Sequence, residues 1–173
     1  LRHLIEQGAW TRVLVFVATR YACDHVADKL RKAGLAAAAF HGDASQGART
    51  GVLSDFKAGK LQVLVATDLG ARGIDIAQLP VVVNYDLPRS AVDYTHRIGR
   101  TARAGASGLA VSFVSASTEA HFRLIEKRQG HRVARERIAG YEPGETAAPA
   151  AAVGGIKGKR PSKKDKLRAA GLR

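Results

Sequence analysis

Short apolar runs alternate along this chain with longer segments whose apolar residues recur at helical spacing. Val13-Leu-Val-Phe-Val17 predicts a strand, followed by a helix over 20–33 that stops at Gly34. Leu35–Phe40 predicts a second, alanine-rich strand, and a helix follows from Ser45 to Lys57, ending near Gly59. Gln62–Thr67 and Val81–Tyr85 read as strands, with a helix starting at Ser90, a strand at Leu109–Ser115 and a last helix over 117–129. Ser90 with Asp93 three residues on resembles a capping box with Asp in place of Glu. The opening Leu1-Arg-His-Leu-Ile-Glu-Gln7 also reads as helix.

Strands apolar on both faces and separated by helices predict βαβ units, and hence an α/β fold with a parallel sheet covered on both sides. In such sheets ligands gather at the carboxyl ends of the strands. Polar residues fall at those ends: Thr19-Arg20, His41-Gly-Asp43, Thr67-Asp68 and Asn84-Tyr-Asp86. Core packing does not account for that clustering.

Composition narrows the partners. The 173 residues suffice for one domain with a real core, and no apolar run reaches the length of a membrane span. One cysteine, Cys23, rules out an internal disulfide and a cysteine-rich metal site, which points to a reducing, cytoplasmic setting. The net charge is +13, unevenly spread. Residues 1–120 hold 14 Lys/Arg against 10 Asp/Glu, whereas residues 121–173 hold 14 against 5. That asymmetry favours a polyanion, nucleic acid first, with a solubilising tail as the alternative. From Pro143 the apolar period is lost and Ala, Gly, Pro and Lys dominate, so 1–142 is expected to be the folded domain and 143–173 a flexible basic tail. The chain starts at Leu1 and contains no methionine, which suggests a piece of a longer protein.

The densest candidate chemistry lies in Tyr94–Gly105, where Arg97, Arg100 and Arg103 stand three apart with His96 among them. Arginine keeps its charge and forks onto anionic oxygens, so the cluster suits a phosphate. On an unbroken helix the three would span an arc of about 120°, with His96 inside it. A solvated basic face is the plainer reading. No Gly-x-x-x-x-Gly-Lys-Ser/Thr loop, Gly-x-Gly-x-x-Gly, Gly-x-Ser-x-Gly or His/Cys metal spacing occurs. The cluster is thus expected to serve a nucleotide held elsewhere, by lending arginine across an interface. A second constellation, Ala66-Thr-Asp-Leu-Gly-Ala-Arg-Gly-Ile-Asp-Ile76, carries Thr67, Asp68, Arg72 and Asp75. Thr67 and nearby amides suit phosphate oxygens, and a carboxylate such as Asp75 suits sugar hydroxyls. Taken alone, this segment reads as an ordinary strand-to-helix turn.

Six elements in order over residues 12–115 resemble the second RecA-like domain of DEAD-box RNA helicases. They are Val15-Phe-Val-Ala-Thr-Arg20, Phe40-His-Gly-Asp43, Gln46-Gly-Ala-Arg49, Ala66–Ile76, Val83-Asn-Tyr-Asp-Leu-Pro88 and His96–Arg103. Ile125–Gly130 through Ile138–Pro143, with the basic tail, looks like the bacterial RhlE branch. The resemblance implies that Arg100 and Arg103 are arginine fingers reaching the γ-phosphate of ATP, and that His96 couples RNA binding to hydrolysis. It implies ribose contact for Asp75, an interfacial role at the nucleotide for Arg97, and RNA-phosphate contacts for Thr19, Arg49 and Thr67. Gly70 would offer its amide to the RNA, and Gln46 would support Arg49. Asp68 and Arg72 would orient their loop or bridge domains, Asn84-Tyr-Asp86 would position the loop that follows, and Arg20 and His41 admit a purely local role.

ATP and Mg²⁺ would sit mainly on an N-terminal RecA-like domain of the same protein, leaving this chain with no metal site and no activity alone. Local unwinding of RNA would need both domains. A non-motor RNA-binding module and a DNA helicase of the same superfamily remain the alternatives. Two positions depart from the family pattern: Ala102 stands where Gly is usual, and Leu69-Gly70 replaces a commoner Val/Ile-Ala pair.

Overall fold

The computed structural model describes residues 1–76, 78–101 and 107–141. The elements run α1 (Arg2–Gln7), β1 (Val13–Val17), α2 (Arg20–Lys32), β2 (Ala37–Phe40), α3 (Gln46–Lys57), β3 (Val63–Thr67) and α4 (Asp68–Ala71). They continue with β4 (Val81–Asn84), α5 (Ala91–Ile98), β5 (Leu109–Ser112) and α6 (Glu119–Gln129). The five strands form one sheet in the order β2-β3-β1-β4-β5, and every pairing is parallel. This is the RecA-like α/β architecture anticipated from the sequence.

The two-faced apolar strands explain the layering. Alternate residues of β1, Val13, Val15 and Val17, pack with Cys23, Val26, Ala27 and Leu30 of α2 and with Ile5 of α1. Leu14 and Phe16 face the other way, onto Phe56 of α3 and onto Ala71 and Ile76 beyond β3. A third cluster joins α5 to α6 through Ala91, Tyr94, Phe122 and Ile125. Every residue of β1, β3 and β4 is buried, so the central strands leave no solvent face.

Helix starts are set by hydroxyl caps. Thr19, Ser45 and Ser90 each accept the amide of the third residue on, at 3.1, 3.3 and 3.1 Å. Ser90 also donates its hydroxyl to the Asp93 carboxylate at 2.7 Å, so the two residues read as a box from the sequence do pair, through their side chains. At the other end of α2, Gly34 takes φ +87°, which explains the stop there. β1 matches its apolar run, and the other predicted elements are one to three residues shorter than expected, because the flanking residues belong to loops rather than ladders. The four-residue α4 had no apolar period to reveal it; the Thr67 hydroxyl creates it by accepting the Gly70 amide at 3.1 Å.

Candidate functional site

The carboxyl ends of β1, β3 and β4 lie side by side, and one arginine ties them together. Arg97 is 3 % exposed. Its Nε and Nη2 donate to the two Asp68 oxygens, both at 2.7 Å, in the fork geometry that suits guanidinium to carboxylate. Nη1 donates to Asn84 Oδ1 at 3.0 Å and to the Asp86 carbonyl at 2.6 Å, while the guanidinium lies 4.9 Å from the centre of the Phe16 ring. Asp86 in turn accepts the Ala18 amide at 2.8 Å, just ahead of Thr19. Four of five donors are therefore spent inside the domain. Arg97 is a clamp on three strand ends, and the expected interfacial contact with a nucleotide finds almost no free donor on it.

Arg100 has a different fate. The helix that starts at Ser90 ends at Ile98 with Gly99 as its cap, so Arg97 and Arg100 do not share the arc of one unbroken helix. Arg100 turns to the neighbouring loop and donates Nη1 to the carbonyls of Ile74 and Ile76, at 2.8 and 3.3 Å. Its Nε and Nη2 have no hydrogen-bond partner among the described residues. Together with Arg72, His96, Asp93, Asp68 and the Arg97 clamp, it lines a cleft of about 140 Å³. Arg72 and His96 are exposed there. Asp75 stands outside that lining with its side chain 95 % exposed, and Lys57 Nζ approaches it at 3.5 Å. Arg103 and Ala102 lie outside the described residues, as does the 143–173 tail.

The other predicted contacts gather along the β1, β2 and β3 ends. Thr19 is exposed and Thr67 is 7 % exposed; each hydroxyl accepts an amide and keeps its own hydrogen to donate. Arg49 lies 5.0 Å from the centre of the Phe40 ring and donates Nη2 to the Gly70 carbonyl at 3.1 Å. Gln46 opens α3 on the surface, and its carbonyl accepts the Thr50 hydroxyl; Phe40 and Gly70, not the Gln46 side chain, hold Arg49. Gly70 also departs from expectation. Its amide is already taken by Thr67, so it has no donor for an RNA phosphate. Its smallness has another use: a Cβ there would sit 2.6 Å from the Phe40 carbonyl oxygen and 3.0 Å from the His41 Cα.

Around that close approach, His41 Nδ1 and Arg49 Nε are buried without a hydrogen-bond partner. His41 Nε2 meets Asp24 at 3.0 Å, and Arg20 pairs with Asp43, so both have the local role the sequence allowed them. Sequence reasoning missed Phe16 and Asp93. Phe16 falls within the Val15–Arg20 element, but an apolar residue in a buried strand gives no sign that an arginine will lie over its ring. Cys23 donates Sγ to the Val65 carbonyl at 2.9 Å, and burial pushes its thiol up to about 11, so it is a neutral core residue. Among the described residues, no group of three His, Cys, Asp or Glu converges on a metal position, and no helix is long and apolar enough to cross a membrane.

This geometry has counterparts. The family model for the helicase conserved C-terminal domain matches residues 1–105. The Escherichia coli DEAD-box protein SrmB, solved bound to regulator of ribonuclease activity A, is 38 % identical with a TM-score of 0.79, over 84 % of this chain and 86 % of that one. The chain belongs to the DEAD-box helicase C-terminal domains. An ATP-dependent RNA helicase-like protein, DB10 of Nicotiana sylvestris, is 51 % identical over 111 residues, 64 % of this chain and 18 % of its own length. A Dbp5 variant of S. cerevisiae, solved bound to RNA and ADP BeF3, is 34 % identical with a TM-score of 0.70, over 76 % of this chain and 36 % of that one. This DEAD-box domain spans about a fifth of the length of the curated relatives it matches.

Proposed function

We propose that this domain is the C-terminal half of an ATP-dependent RNA helicase. It would lend arginine to ATP held on an N-terminal RecA-like domain and grip one RNA strand through its phosphates, so that closure of the two domains separates a short duplex. The observation that carries this reading is the cleft at the strand ends, where Arg100 and Arg72 bring donor capacity together beside His96. Cations with free donors suit the negative charge that spreads over a phosphoryl group during transfer. ATP supplies the phosphoryl group, and Mg²⁺ and the attacking-water machinery are assigned to the N-terminal domain.

Each residue then has a task set by its surroundings. Arg100 and Arg103 are the fingers, and His96 meets the partner domain from its exposed place on α5. Asp75, free in solvent apart from Lys57, reads the ribose hydroxyls. Arg97 acts through others: it fixes the strand ends beside Thr19 and Thr67, and it lies three residues before Arg100. Thr19, Thr67 and Arg49 take RNA phosphates, and Gln46 at the start of α3 stands beside them. Phosphate contacts fix register without reading base sequence, which suits a motor acting on many RNAs. Residues 1–142 form the motor half and 143–173 a basic appendage.

Arg100→Ala in the full-length protein tests this. RNA-stimulated ATP turnover is expected to fall on the order of a thousandfold, with RNA affinity largely kept, because a finger acts on the transition state. Unchanged turnover would remove Arg100 from the reaction.

A further inference from the structure

Residues 119–141 contain six Lys/Arg and three Glu, a modest excess that understates what the surface presents. Two of the three acids are used inside the fold. Glu126 is 6 % exposed, accepts the Val133 amide at 2.8 Å and takes Arg135 on both oxygens, at 2.8 and 3.0 Å. Glu119 meets the same guanidinium at 3.3 Å and also pairs with Arg123 at 2.9 Å. Arg135 itself lies 4.6 Å from the centre of the Phe122 ring. The chain after α6 is thereby folded back as a strap, entered at Gly130 with φ +76° and ending where Tyr141 stacks on His3 at 5.0 Å.

Lys127, Arg128, Arg132 and Arg137 are left outward and exposed, with no hydrogen bond or ion pair among the described residues. Glu136 is the one acid of this stretch in the same unpaired condition. On α6, Lys127 and Arg128 share the solvent side with Leu124, 62 % exposed, opposite the Phe122, Ile125 and Glu126 side that packs inward. The inward side meets α5 through the Tyr94–Phe122 edge contact at 5.7 Å and the Gln129–Thr95 hydrogen bond at 2.9 Å. Lys127 and Arg128 therefore face away from α5, the helix that carries His96 and Arg97 to the cleft, and Arg132 and Arg137 stand exposed on the strap that follows.

We propose that this face of α6 and its strap is a second RNA surface, holding phosphate backbone that lies outside the strand grip. Ammonium and guanidinium groups that make no internal hydrogen bond or ion pair can displace condensed counterions from RNA by direct contact, with no ion pair to break. Glu126 is buried against Arg135 and Glu119 is neutralised by Arg123 and Arg135, so neither opposes an RNA there. Because the surface belongs to one domain, it binds whether or not the two domains have closed. RNA stays attached while the grip at Thr19, Arg49 and Thr67 opens. The choice of RNA over another polyanion rests on the function proposed above.

The test is a full-length protein carrying Lys127→Gln, Arg128→Gln, Arg132→Gln and Arg137→Gln together, measured for hairpin-RNA binding without nucleotide at several salt concentrations. Each lost phosphate contact lowers the log–log salt slope by about 0.7–0.9, so the expected drop is about 2–4. The thermal midpoint moves little, because the only internal interaction lost among the described residues is the through-space attraction of Arg132 for Glu126, and ATP turnover at saturating RNA is kept while half-maximal stimulation needs more RNA. An unchanged salt slope overturns the proposal. An Arg49→Ala protein separates it from the strand grip: failure of that variant to weaken ATP-dependent strand binding counts against the grip and leaves the slope measurement standing.

Discussion

Two arginines in this domain are held in the same way for different ends. Arg97 and Arg135 each lie over a phenylalanine ring, at 4.9 and 4.6 Å, fork onto a carboxylate and reach a backbone carbonyl. Arg97 is 3 % exposed and its partners Asp68, Asn84 and Asp86 come from two strand ends 11 to 29 positions away. Arg135 is 37 % exposed and its Glu126 partner is nine positions away. The first clamp defines a site by joining separate loops, and the second folds one segment back on its own helix. Burial and sequence span, rather than the contacts themselves, decide what losing each would do.

Arg97→Ala is the largest break in that comparison. It strips the pairing from Asp68, leaves Asn84 Oδ1 and the Asp86 carbonyl short of a donor, and opens space over Phe16. Since Asp68 is 38 % exposed and can recover some water, the cost is expected at about 2–3 kcal/mol, toward the lower end for a broken ion pair. Thermal unfolding should show it as a lower midpoint, and the same variant should lose both RNA stimulation and strand affinity. Arg135→Ala should lower the midpoint less and leave the strand grip intact. Equal losses from the two would erase the distinction between a site clamp and a strap clamp.

The contrast also marks what could be read from sequence. Strand and helix positions were legible because the apolar period states them, down to the Ser90–Asp93 box. The family was legible from motif order alone. Which motif residues touch one another was not. Nothing local tells that Arg97 spends its donors on Asp68, Asn84 and Asp86 while Arg100, three residues on, has two groups without a partner among the described residues. Those partners meet only when a parallel sheet brings distant strand ends together. Gly70 shows the same limit: a motif reading lends its amide to RNA, whereas the Thr67 cap claims it.

Gly70 gives the intermediate effect and sharpens the clamp-side reading. In Gly70→Ala the new methyl carbon would begin 2.6 Å from the Phe40 carbonyl oxygen, a backbone atom that cannot rotate away. The β2 end and α4 must separate, which is expected to cost about 1–2 kcal/mol as overpacking does. The movement also pulls the Gly70 carbonyl from Arg49, so weaker strand binding should accompany the lower midpoint. Loss of stability with strand binding untouched would mean that Arg49 is not positioned through Gly70.

The smallest effect is expected in acid, at the strap. The Arg135 guanidinium and the Val133 amide hold the Glu126 carboxyl down to about 2 from an ordinary 4.5, and Arg123 and Arg135 lower Glu119 as well. A depressed carboxyl contributes stability that is complete above its unfolded value and lost as pH falls through its folded one. The strap should therefore stay pinned down to pH 4.5 and loosen between there and pH 2. The Val133 amide reports this directly, since it donates to Glu126 Oε1 at 2.8 Å. Its NMR shift should titrate with a midpoint near 2, and in Glu126→Gln that step should vanish. A midpoint near 4.5 would mean that Arg135 does not hold the carboxylate, and the strap would then present its cations without the inward pinning on which the second RNA surface depends.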